Sequence, residues 1–335
     1  MAELGAAVIG LGMMGQRHGR IWAELPQTRL VAVYDIVPEK VQEMADEYGC
    51  LAAPSLEAAI NAAGVDLVSV CTDDQSHVEP CTAAAAAGKH VLVEKPLATD
   101  VADCDAIIAA VESNGVRLMV GHVVRFDPRY QVAKAALEQG RVGEIVHIYG
   151  RRNNILASGR RIGPRTSVAY FLGVHDLDIM RWYLGCEAVR VYAESCRKVL
   201  TAEGADDTIF TLLKYENEAV GCLETCWVVP EGQPNTLDAR IEVVGTKGRV
   251  AVRVGDNEPL EVSEAERSWR PDIAYGPIIG GQQGGALKYQ LEHFARCIME
   301  DQEFLISAQD AKAAVVLAAA IHQSLETGAP VQVSQ

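Results

Sequence analysis

The sequence lacks the features that mark a membrane protein or a nucleic-acid-binding protein. No apolar run reaches the roughly 18 residues needed to span a bilayer. Positive charge is in deficit, since 30 Lys and Arg stand against 45 Asp and Glu, and the formal net charge is −15. Because an acidic chain repels phosphate backbones and anionic lipid, we expect no nucleic-acid and no membrane partner. Met1–Gly5 has no basic stretch typical of a signal peptide, which favours a cytoplasmic location.

Closely spaced cysteines are also missing. The nine cysteines are scattered, their number is odd, and the closest spacing, between Cys222 and Cys226, is four residues. This pattern argues against a zinc ribbon and against a disulfide framework. We therefore expect free thiols in a reducing compartment and no metal site. With 335 residues and 49% apolar side chains, the composition is that of a globular protein of about two domains.

The order of predicted elements divides the chain in two. In residues 1–122, short apolar strands alternate with helices, which predicts a doubly wound α/β domain with a parallel sheet. Residues 123–335 are rich in strands and turn signals, with helices predicted over 173–184, 286–300 and 308–326. The sequence therefore predicts a Rossmann dinucleotide-binding domain followed by an α+β domain.

A glycine-rich turn follows the first predicted strand. Gly10, Gly12 and Gly15 have the GxGxxG spacing at the start of a βαβ unit, and Asp35 ends the next strand twenty residues later. Such glycines let the backbone approach a pyrophosphate, and the acid accepts hydrogen bonds from ribose hydroxyls. Asp35 would repel a 2′-phosphate, so NAD is favoured over NADP. The alternative is a glycine turn in a fold that binds no nucleotide.

Two further segments combine polar side chains with tight turns. Lys95 lies in Glu94-Lys95-Pro96 at the carboxyl end of a predicted strand, the edge at which open α/β sheets bind ligands. His175 lies in the segment 173–178 at the start of a predicted helix in the second domain. From the residues alone, Lys95 is equally a surface lysine at a strand end. His175 is equally a helix-start residue satisfied by the backbone.

With these motifs the chain resembles the Gfo/Idh/MocA oxidoreductases over nearly its whole length. The resemblance is carried by four segments: GLGMMGQRH (10–18), GKHVLVEKP (88–96), GHVVRFDP (121–128) and HDLDIMRWYLG (175–185). It implies a second domain with a large, mostly antiparallel, open-faced sheet that builds a homodimer or homotetramer. It also implies that Lys95 hydrogen-bonds the reacting oxygen and that His175 acts as acid or base, although Lys95 with a lowered pKa is an alternative base.

Two departures from the family pattern stand out. Phe171 occupies the position, four residues before His175, where many members carry an aspartate. The turn Thr72-Asp73-Asp74 replaces a Thr-Pro-Asn-like turn near the cofactor ribose, and an aspartate there still accepts from ribose hydroxyls. Phe171 leaves the choice of polyol open, whereas NAD binding is retained.

The motifs and the resemblance together predict two sets of contact residues. The predicted cofactor contacts are Gly10, Gly12, Met13, Met14, Gly15, Asp35, Cys71, Thr72, Asp74, His77, Glu94, Lys95 and Arg125. The predicted substrate contacts are Lys95, Arg152, Asn153, Asp178, His175 and Tyr275. The five arginines within 151–165 either grip a phosphate or carboxylate on the substrate or pair with acidic residues of a neighbouring subunit.

The resulting prediction is an NAD-dependent dehydrogenase that moves a hydride between nicotinamide and a secondary hydroxyl or ketone of a sugar, cyclitol or sugar derivative. One alternative is a redox-neutral enzyme that retains NAD and uses transient oxidation to permit elimination or epimerisation. Another is a non-catalytic regulator of the same fold that senses NAD or sugar.

Overall fold

The structure is a computed structural model that describes residues 3–255, 262–263, 268–271 and 273–333. By its internal contacts the chain forms two compact units, one of residues 1–126 with 274–312 and one of residues 127–273 with 313–335. The division predicted from the sequence, after residue 122, places 274–312 in the second domain. In the structure these residues pack within the first unit.

A parallel sheet forms the centre of the first unit. Within the described residues it has six strands in the order β3-β2-β1-β4-β5-β6: β1 Leu4–Ile9, β2 Thr28–Tyr34, β3 Leu51–Ala52, β4 Leu67–Val70, β5 His90–Glu94 and β6 Leu118–Gly121. All neighbouring pairs are parallel. This is the strand order of a dinucleotide-binding Rossmann sheet, whose ligand crevice lies where the order reverses between β1 and β4.

Helices cover this sheet because its strands are apolar on both faces. They are α1 Met13–Glu24, α2 Pro38–Tyr48, α3 Leu56–Ile60, α4 Val78–Ala86 and α5 Val101–Ser113, with 3₁₀ turns at Asp74–Ser76 and Val123–Phe126. Pro38 opens α2, and Gly49 ends it in the left-handed conformation at φ 66°. Both positions follow the usual asymmetry of helix ends.

The later segment of the first unit supplies helix α9, Gly285–Met299. Its residues Leu287, Leu291 and Phe294 are fully buried in the core that includes Trp22 of α1. The Trp22 and Phe294 rings lie edge to face, with centroids 6.4 Å apart. An apolar helix stripe of this kind explains why residues so distant in sequence join this unit.

The glycine-rich segment before α9, residues 276–285, contains a small hairpin. Strands β15 Ile278–Ile279 and β16 Gln282–Gln283 pair through a turn whose Gly280 and Gly281 have positive φ. The hairpin is fastened to α1, since Gln283 N donates to Glu24 at 2.7 Å and Arg20 donates to the Gly281 carbonyl.

A mixed sheet forms the second unit. Within the described residues it has seven strands in the order β12-β11-β7-β10-β9-β8-β17: β7 Ile145–Ile155, β8 Ala188–Cys196, β9 Thr208–Tyr215, β10 Val220–Val229, β11 Leu237–Gly245, β12 Arg249–Val254 and β17 Val331–Gln332. The short pair β13 Val262–Ser263 and β14 Ser268–Trp269 lies outside it. Of the pairings in the seven-stranded sheet, β7 with β10 is parallel and the others are antiparallel. The predicted, mostly antiparallel second sheet is thereby confirmed.

The remaining helices are α6 Pro128–Glu138, α7 Leu156–Ile162, α8 Val174–Leu184 and α10 Ala308–Thr327, with a π-helical turn at Ala169–Gly173 directly before α8. Along β9, Phe210 and Leu212 alternate with buried residues and are themselves about half exposed, so one face of the seven-stranded sheet is open at this strand. Among the described helices, none is long and apolar enough to cross a membrane.

Candidate functional site

The glycine turn after β1 is shaped by backbone contacts at two of its three glycines. Gly10 has φ +88°, and a Cβ there would lie 2.7 Å from the Thr72 amide nitrogen. A Cβ on Gly15 would lie 1.8 Å from the Gly10 carbonyl oxygen. A Cβ on Gly12, in contrast, would meet no described atom within 4 Å. Gly10 and Gly15 are therefore required by the fold, whereas Gly12 leaves an open space above the turn.

Helix α1 begins at that open space. Gly12 is its N-cap, and no side chain in the described part of the chain caps the free amides of its first turn. Met13 is 58% exposed and Met14 is half-buried. Uncapped amides at a helix N-terminus bind anionic groups, and phosphate is the usual one.

Asp35 lies beside the turn at the end of β2. One carboxylate oxygen accepts the Leu11 amide at 2.5 Å, and the other accepts the Val37 amide at 2.9 Å. Each oxygen keeps a lone pair that can accept from a hydroxyl. The next residue, Ile36, is 88% exposed. Asp35 is thus held in place by the same loop that would receive the phosphates.

The turn after β4 is the neighbour of the glycine turn across the strand-order reversal. The Cys71 amide donates to the Ile9 carbonyl at 2.7 Å, and the Thr72 hydroxyl donates to the Ser76 carbonyl at 3.0 Å. His77 is buried, with Nδ1 2.9 Å from the Pro96 carbonyl oxygen and Nε2 3.3 Å from that of Thr72. Burial lowers the pKa of His77. His77 therefore joins this turn to the Lys95–Pro96 segment.

Asp74 is buried, whereas Asp73, the other acid of this turn, is exposed. The Asp74 side chain is 9% exposed, and both carboxylate oxygens are buried without a hydrogen-bond partner in the part of the chain that the structure describes. A buried carboxylate without a partner is uncommon in native proteins, and it marks a position where a ligand is expected.

Lys95 follows a buried polar cluster at the end of β5, and its peptide bond to Pro96 is cis. The carboxylate of Glu94 lies 3.2 Å from His18 Nε2, and His18 Nδ1 lies 2.7 Å from the Ser69 hydroxyl. Burial opposes protonation of His18, but Cys71 and Glu94 outweigh it and raise the pKa of His18 to about 10. Burial likewise opposes ionisation of Glu94, but His18 lowers the pKa of Glu94 below its usual value. The pair is therefore imidazolium and carboxylate near neutral pH.

Arg125 and Tyr275 both contact elements of the first unit. Buried Arg125 donates to the Leu305 carbonyl at 3.0 Å and lies 3.4 Å from the Asp310 carboxylate. The Tyr275 hydroxyl lies 3.4 Å from the Met14 sulfur. Tyr275, predicted as a substrate contact, is thus placed against the cofactor turn of its own unit.

His175 lies in the first turn of α8, directly after the π-helical turn Ala169–Gly173. Such turns are frequent at functional sites, where they redirect a helix. His175 is half-buried, and Asp178, one helical turn later, is 1% exposed. Phe171, inside the π-helical turn, packs near Trp227 with ring centroids 6.4 Å apart. An aromatic contact therefore occupies the position where many family members carry an acid.

Two arginines of β7, Arg151 and Arg152, are paired with acids. Buried Arg152 pairs with fully buried Asp176 at 2.5 Å. Burial raises the pKa of Asp176, and Arg152 counteracts that effect. Arg151 lies 3.1 Å from Glu224, which also accepts from Asn153 Nδ2 at 2.8 Å. Buried Asn153 keeps its amide oxygen without a partner among the described residues.

Two family models match the sequence that forms these two units. The family model described as "Oxidoreductase family, NAD-binding Rossmann fold" matches residues 4–122, and the "GFO/IDH/MocA C-terminal domain" matches residues 130–251. The chain belongs to the Gfo/Idh/MocA oxidoreductase family. Its first unit is accordingly the NAD-binding domain of an oxidoreductase, and NAD is its cofactor.

Relatives match over nearly the full length. Inositol 2-dehydrogenase 1 of Saccharopolyspora erythraea is 32% identical over 97% of this chain and 95% of its own. The scyllo-inositol 2-dehydrogenase (NAD(+)) of Bacillus subtilis is 26% identical over 98% and 96%. The crystal structure of apo scyllo-inositol dehydrogenase from Lactobacillus casei, at 23% identity, superposes with a TM-score of 0.87 over 100% and 99% of the two chains and shows the shared fold.

Sequence reasoning missed His18 and Ser69 as members of the buried cluster behind Lys95. His18 ends the motif GLGMMGQRH (10–18), but no local pattern predicts that its ring contacts side chains of β4 and β5. In the described part of the chain, no group of three or more His, Cys, Asp or Glu side chains is arranged to hold a metal ion.

Proposed function

We propose that this protein is an NAD-dependent dehydrogenase that oxidises a secondary hydroxyl of a cyclitol or a related sugar, or reduces the matching ketone. The observation that carries the proposal is the fastened glycine turn with Asp35 on a sheet of Rossmann order, in a chain related over its full length to inositol 2-dehydrogenases. NAD supplies the hydride acceptor when it is bound.

The residues of the first unit fit that cofactor. The open space at Gly12 and the uncapped amides of α1 suit a pyrophosphate. We assign to Asp35 the ribose hydroxyls of the adenosine half and to exposed Ile36 a contact with adenine. A carboxylate at Asp35 disfavours a 2′-phosphate, which supports NAD over NADP.

We assign the proton chemistry to Lys95 and His175, as the family resemblance implies. Oxidation of a carbinol releases the hydroxyl proton, so a base must reach that oxygen. A neutral imidazole accepts a proton at one ring nitrogen and can return it, which suits His175 to this role. A lysine ammonium stabilises the developing alkoxide. The Glu94–His18 pair supports this arrangement by holding the strand end from which Lys95 projects.

The pairing of Arg151 and Arg152 with acids supports a neutral polyol as the substrate. Arg152 is paired with Asp176, and Arg151 is paired with Glu224, so neither offers an uncompensated cation for a phosphate or carboxylate. The unpartnered amide oxygen of Asn153, among the described residues, suits a hydroxyl donor. We keep Asn153 and Asp178 as the predicted substrate contacts and assign Arg152 to holding α8 against β7.

A cofactor and substrate panel tests the proposal. Purified protein is mixed with NAD or NADP and with inositol stereoisomers, aldoses, sugar acids or sugar phosphates, and formation of reduced nicotinamide is followed by absorbance. We expect turnover with NAD on neutral cyclitols or sugars. The variants His175→Ala and Lys95→Met should each lose about 10²–10⁴-fold in kcat while they still bind NAD.

Matched controls separate catalysis from general damage. His147 and Lys198 are exposed, so His147→Ala and Lys198→Met should retain wild-type rates. Release of a glycoside aglycone or an epimerised product without net reduced cofactor would instead identify the redox-neutral enzyme. NAD binding with no product from any substrate class would favour the sensing regulator.

We propose a homo-oligomer and a cytoplasmic location, and exposed apolar side chains and free thiols support these two proposals. Half-exposed Phe210 and Leu212 on the open face of β9 support a homo-oligomer formed through this sheet. All nine cysteines, each within the described ranges, are free, which agrees with a reducing cytoplasm. Size-exclusion chromatography of Phe210→Glu, which should run as a smaller species than the wild type, tests the assembly.

A further inference from the structure

The unpartnered carboxylate of Asp74 calls for a ligand group of matching chemistry. Both of its oxygens are shielded from solvent, and neither has a hydrogen-bond partner among the described residues. An ionised carboxylate buried in this way is costly unless a cation or hydrogen-bond donors approach it. The protein alone, over the ranges that the structure describes, supplies neither at these two atoms.

The position of Asp74 in the sheet indicates which half of the cofactor lies near its carboxylate. Asp74 begins the 3₁₀ turn after β4, and β4 lies on the opposite side of the strand-order reversal from β2 and Asp35. The two halves of a Rossmann sheet each bind one mononucleotide of the dinucleotide. Because Asp35 marks the adenosine half, Asp74 belongs to the nicotinamide half.

The turn that carries Asp74 is fixed before any ligand arrives. Thr72 Oγ1 donates across the turn to the Ser76 carbonyl, and His77 contacts the carbonyls of Thr72 and Pro96. Thr72 also packs against Gly10, since a Cβ at Gly10 would lie 2.7 Å from its amide nitrogen. A carboxylate on such a braced turn cannot move into solvent at little cost when its ligand leaves.

NAD changes charge at the nicotinamide half during the reaction. The ring is a cation in NAD⁺ and is neutral in NADH, whereas adenine, both riboses and the pyrophosphate are the same in the two forms. A fixed carboxylate nearby therefore interacts with the two redox forms differently, while hydrogen bonds to ribose hydroxyls are common to both. The ratio of the two dissociation constants isolates the charge effect.

We propose that Asp74 is a specificity-determining residue that makes the site bind the oxidised, cationic cofactor in preference to the reduced, neutral one. The proposal rests on NAD binding by this domain and does not depend on which polyol is the substrate. A neutral amide at the same position would keep the size of the side chain and one acceptor oxygen while it removes the charge.

Calorimetric titration of the full chain with NAD⁺ and, separately, with NADH tests this inference. For Asp74→Asn we expect the ratio Kd(NAD⁺)/Kd(NADH) to rise about tenfold, as for loss of one charge interaction of about 1.4 kcal/mol. The matched control is Asp73→Asn, which removes a carboxylate from the same turn at an exposed position and should leave the ratio unchanged. An unchanged ratio in Asp74→Asn, or an equal change in Asp73→Asn, would overturn the proposal.

Thermal unfolding without cofactor provides the second readout. Because Asp74 has no partner in the described protein, Asp74→Asn should unfold at a temperature equal to or above that of the wild type. A clearly lower unfolding temperature would show that the carboxylate has a structural partner, and it would overturn the assignment. If the wild type bound neither form, the cofactor assignment itself would fail, and that outcome differs from an unchanged ratio.

Discussion

Two glycines of the same turn should respond in opposite ways to the same substitution. Gly12→Ala should preserve the fold and lose cofactor, whereas Gly15→Ala should lose stability. An alanine at Gly15 would place its methyl 1.8 Å from the Gly10 carbonyl oxygen, although real contacts of this kind stay beyond 3.0 Å, so the backbone must move by more than 1 Å. Overpacking of this severity costs about 3 kcal/mol, and the gain in helix propensity from Gly to Ala returns about 1 kcal/mol. We expect a net loss of about 2 kcal/mol.

Gly12 has none of these constraints. Its φ of −69° suits any residue, and its Cβ would meet no described atom within 4 Å. Replacing an N-cap glycine by alanine costs below about 1 kcal/mol. A methyl there would instead occupy the space assigned to the pyrophosphate. Overpacking by one methyl costs about 1–3 kcal/mol, so the affinity for NAD should fall about fivefold or more.

Urea unfolding of the cofactor-free protein and calorimetric titration with NAD measure the two effects separately. Gly232→Ala is the matched control, because its Cβ also meets no described atom within 4 Å and it lies in the second unit. This control should change neither quantity. Wild-type affinity for NAD in Gly12→Ala would refute the placement of the pyrophosphate, and wild-type stability in Gly15→Ala would refute the packing argument.

Three further predictions concern single charged groups. The pKa of His18 is raised from 6.5 to about 10 in the folded protein, so its contribution to the free energy of unfolding is complete below about pH 6.5 and is lost as pH rises toward 10. Urea unfolding across that range should show this decline. His18→Gln, which ends the pairing with Glu94, should make the free energy of unfolding less dependent on pH. Asp35→Ser should weaken NAD binding and narrow the preference for NAD over NADP, measured as the ratio of their kcat/KM values; an unchanged ratio would argue against ribose recognition by this acid. Asp176→Ala leaves Arg152 buried and uncompensated, so the free energy of unfolding should fall by about 3 kcal/mol; a loss below about 1 kcal/mol would contradict a tight buried pair.

Much of the fold could be predicted because its signals are local. A few consecutive residues determine each of these local features, and the structure shows them: the glycine turn with Asp35 beside it, and the helix ends at Pro38 and Gly49. The helix predicted over 173–184 appears as Val174–Leu184. Local chemistry of caps, turns and strand periodicity determines such elements before any tertiary contact is made.

The features that were missed depend on contacts between distant residues. Helix α9 could be predicted as a helix, but not its burial against Trp22 more than 250 positions earlier. The parallel pairing of β7 with β10 and the short helix α7 in the arginine-rich segment are likewise settled by tertiary packing. In the site, the sequence placed Asp74 near the cofactor, whereas the absence of a described partner for its carboxylate became visible only in three dimensions.

The central claim is that a hydride leaves a carbinol carbon of the substrate and is received by NAD. Its most direct test uses inositols that carry deuterium at every carbinol carbon, incubated with stoichiometric protein and NAD, with mass spectrometry of the nicotinamide product. We predict reduced cofactor that carries one deuterium and an inosose with one deuterium fewer. Conversion of the substrate with NAD recovered oxidised and unlabelled, or reduced cofactor without deuterium, would contradict the account.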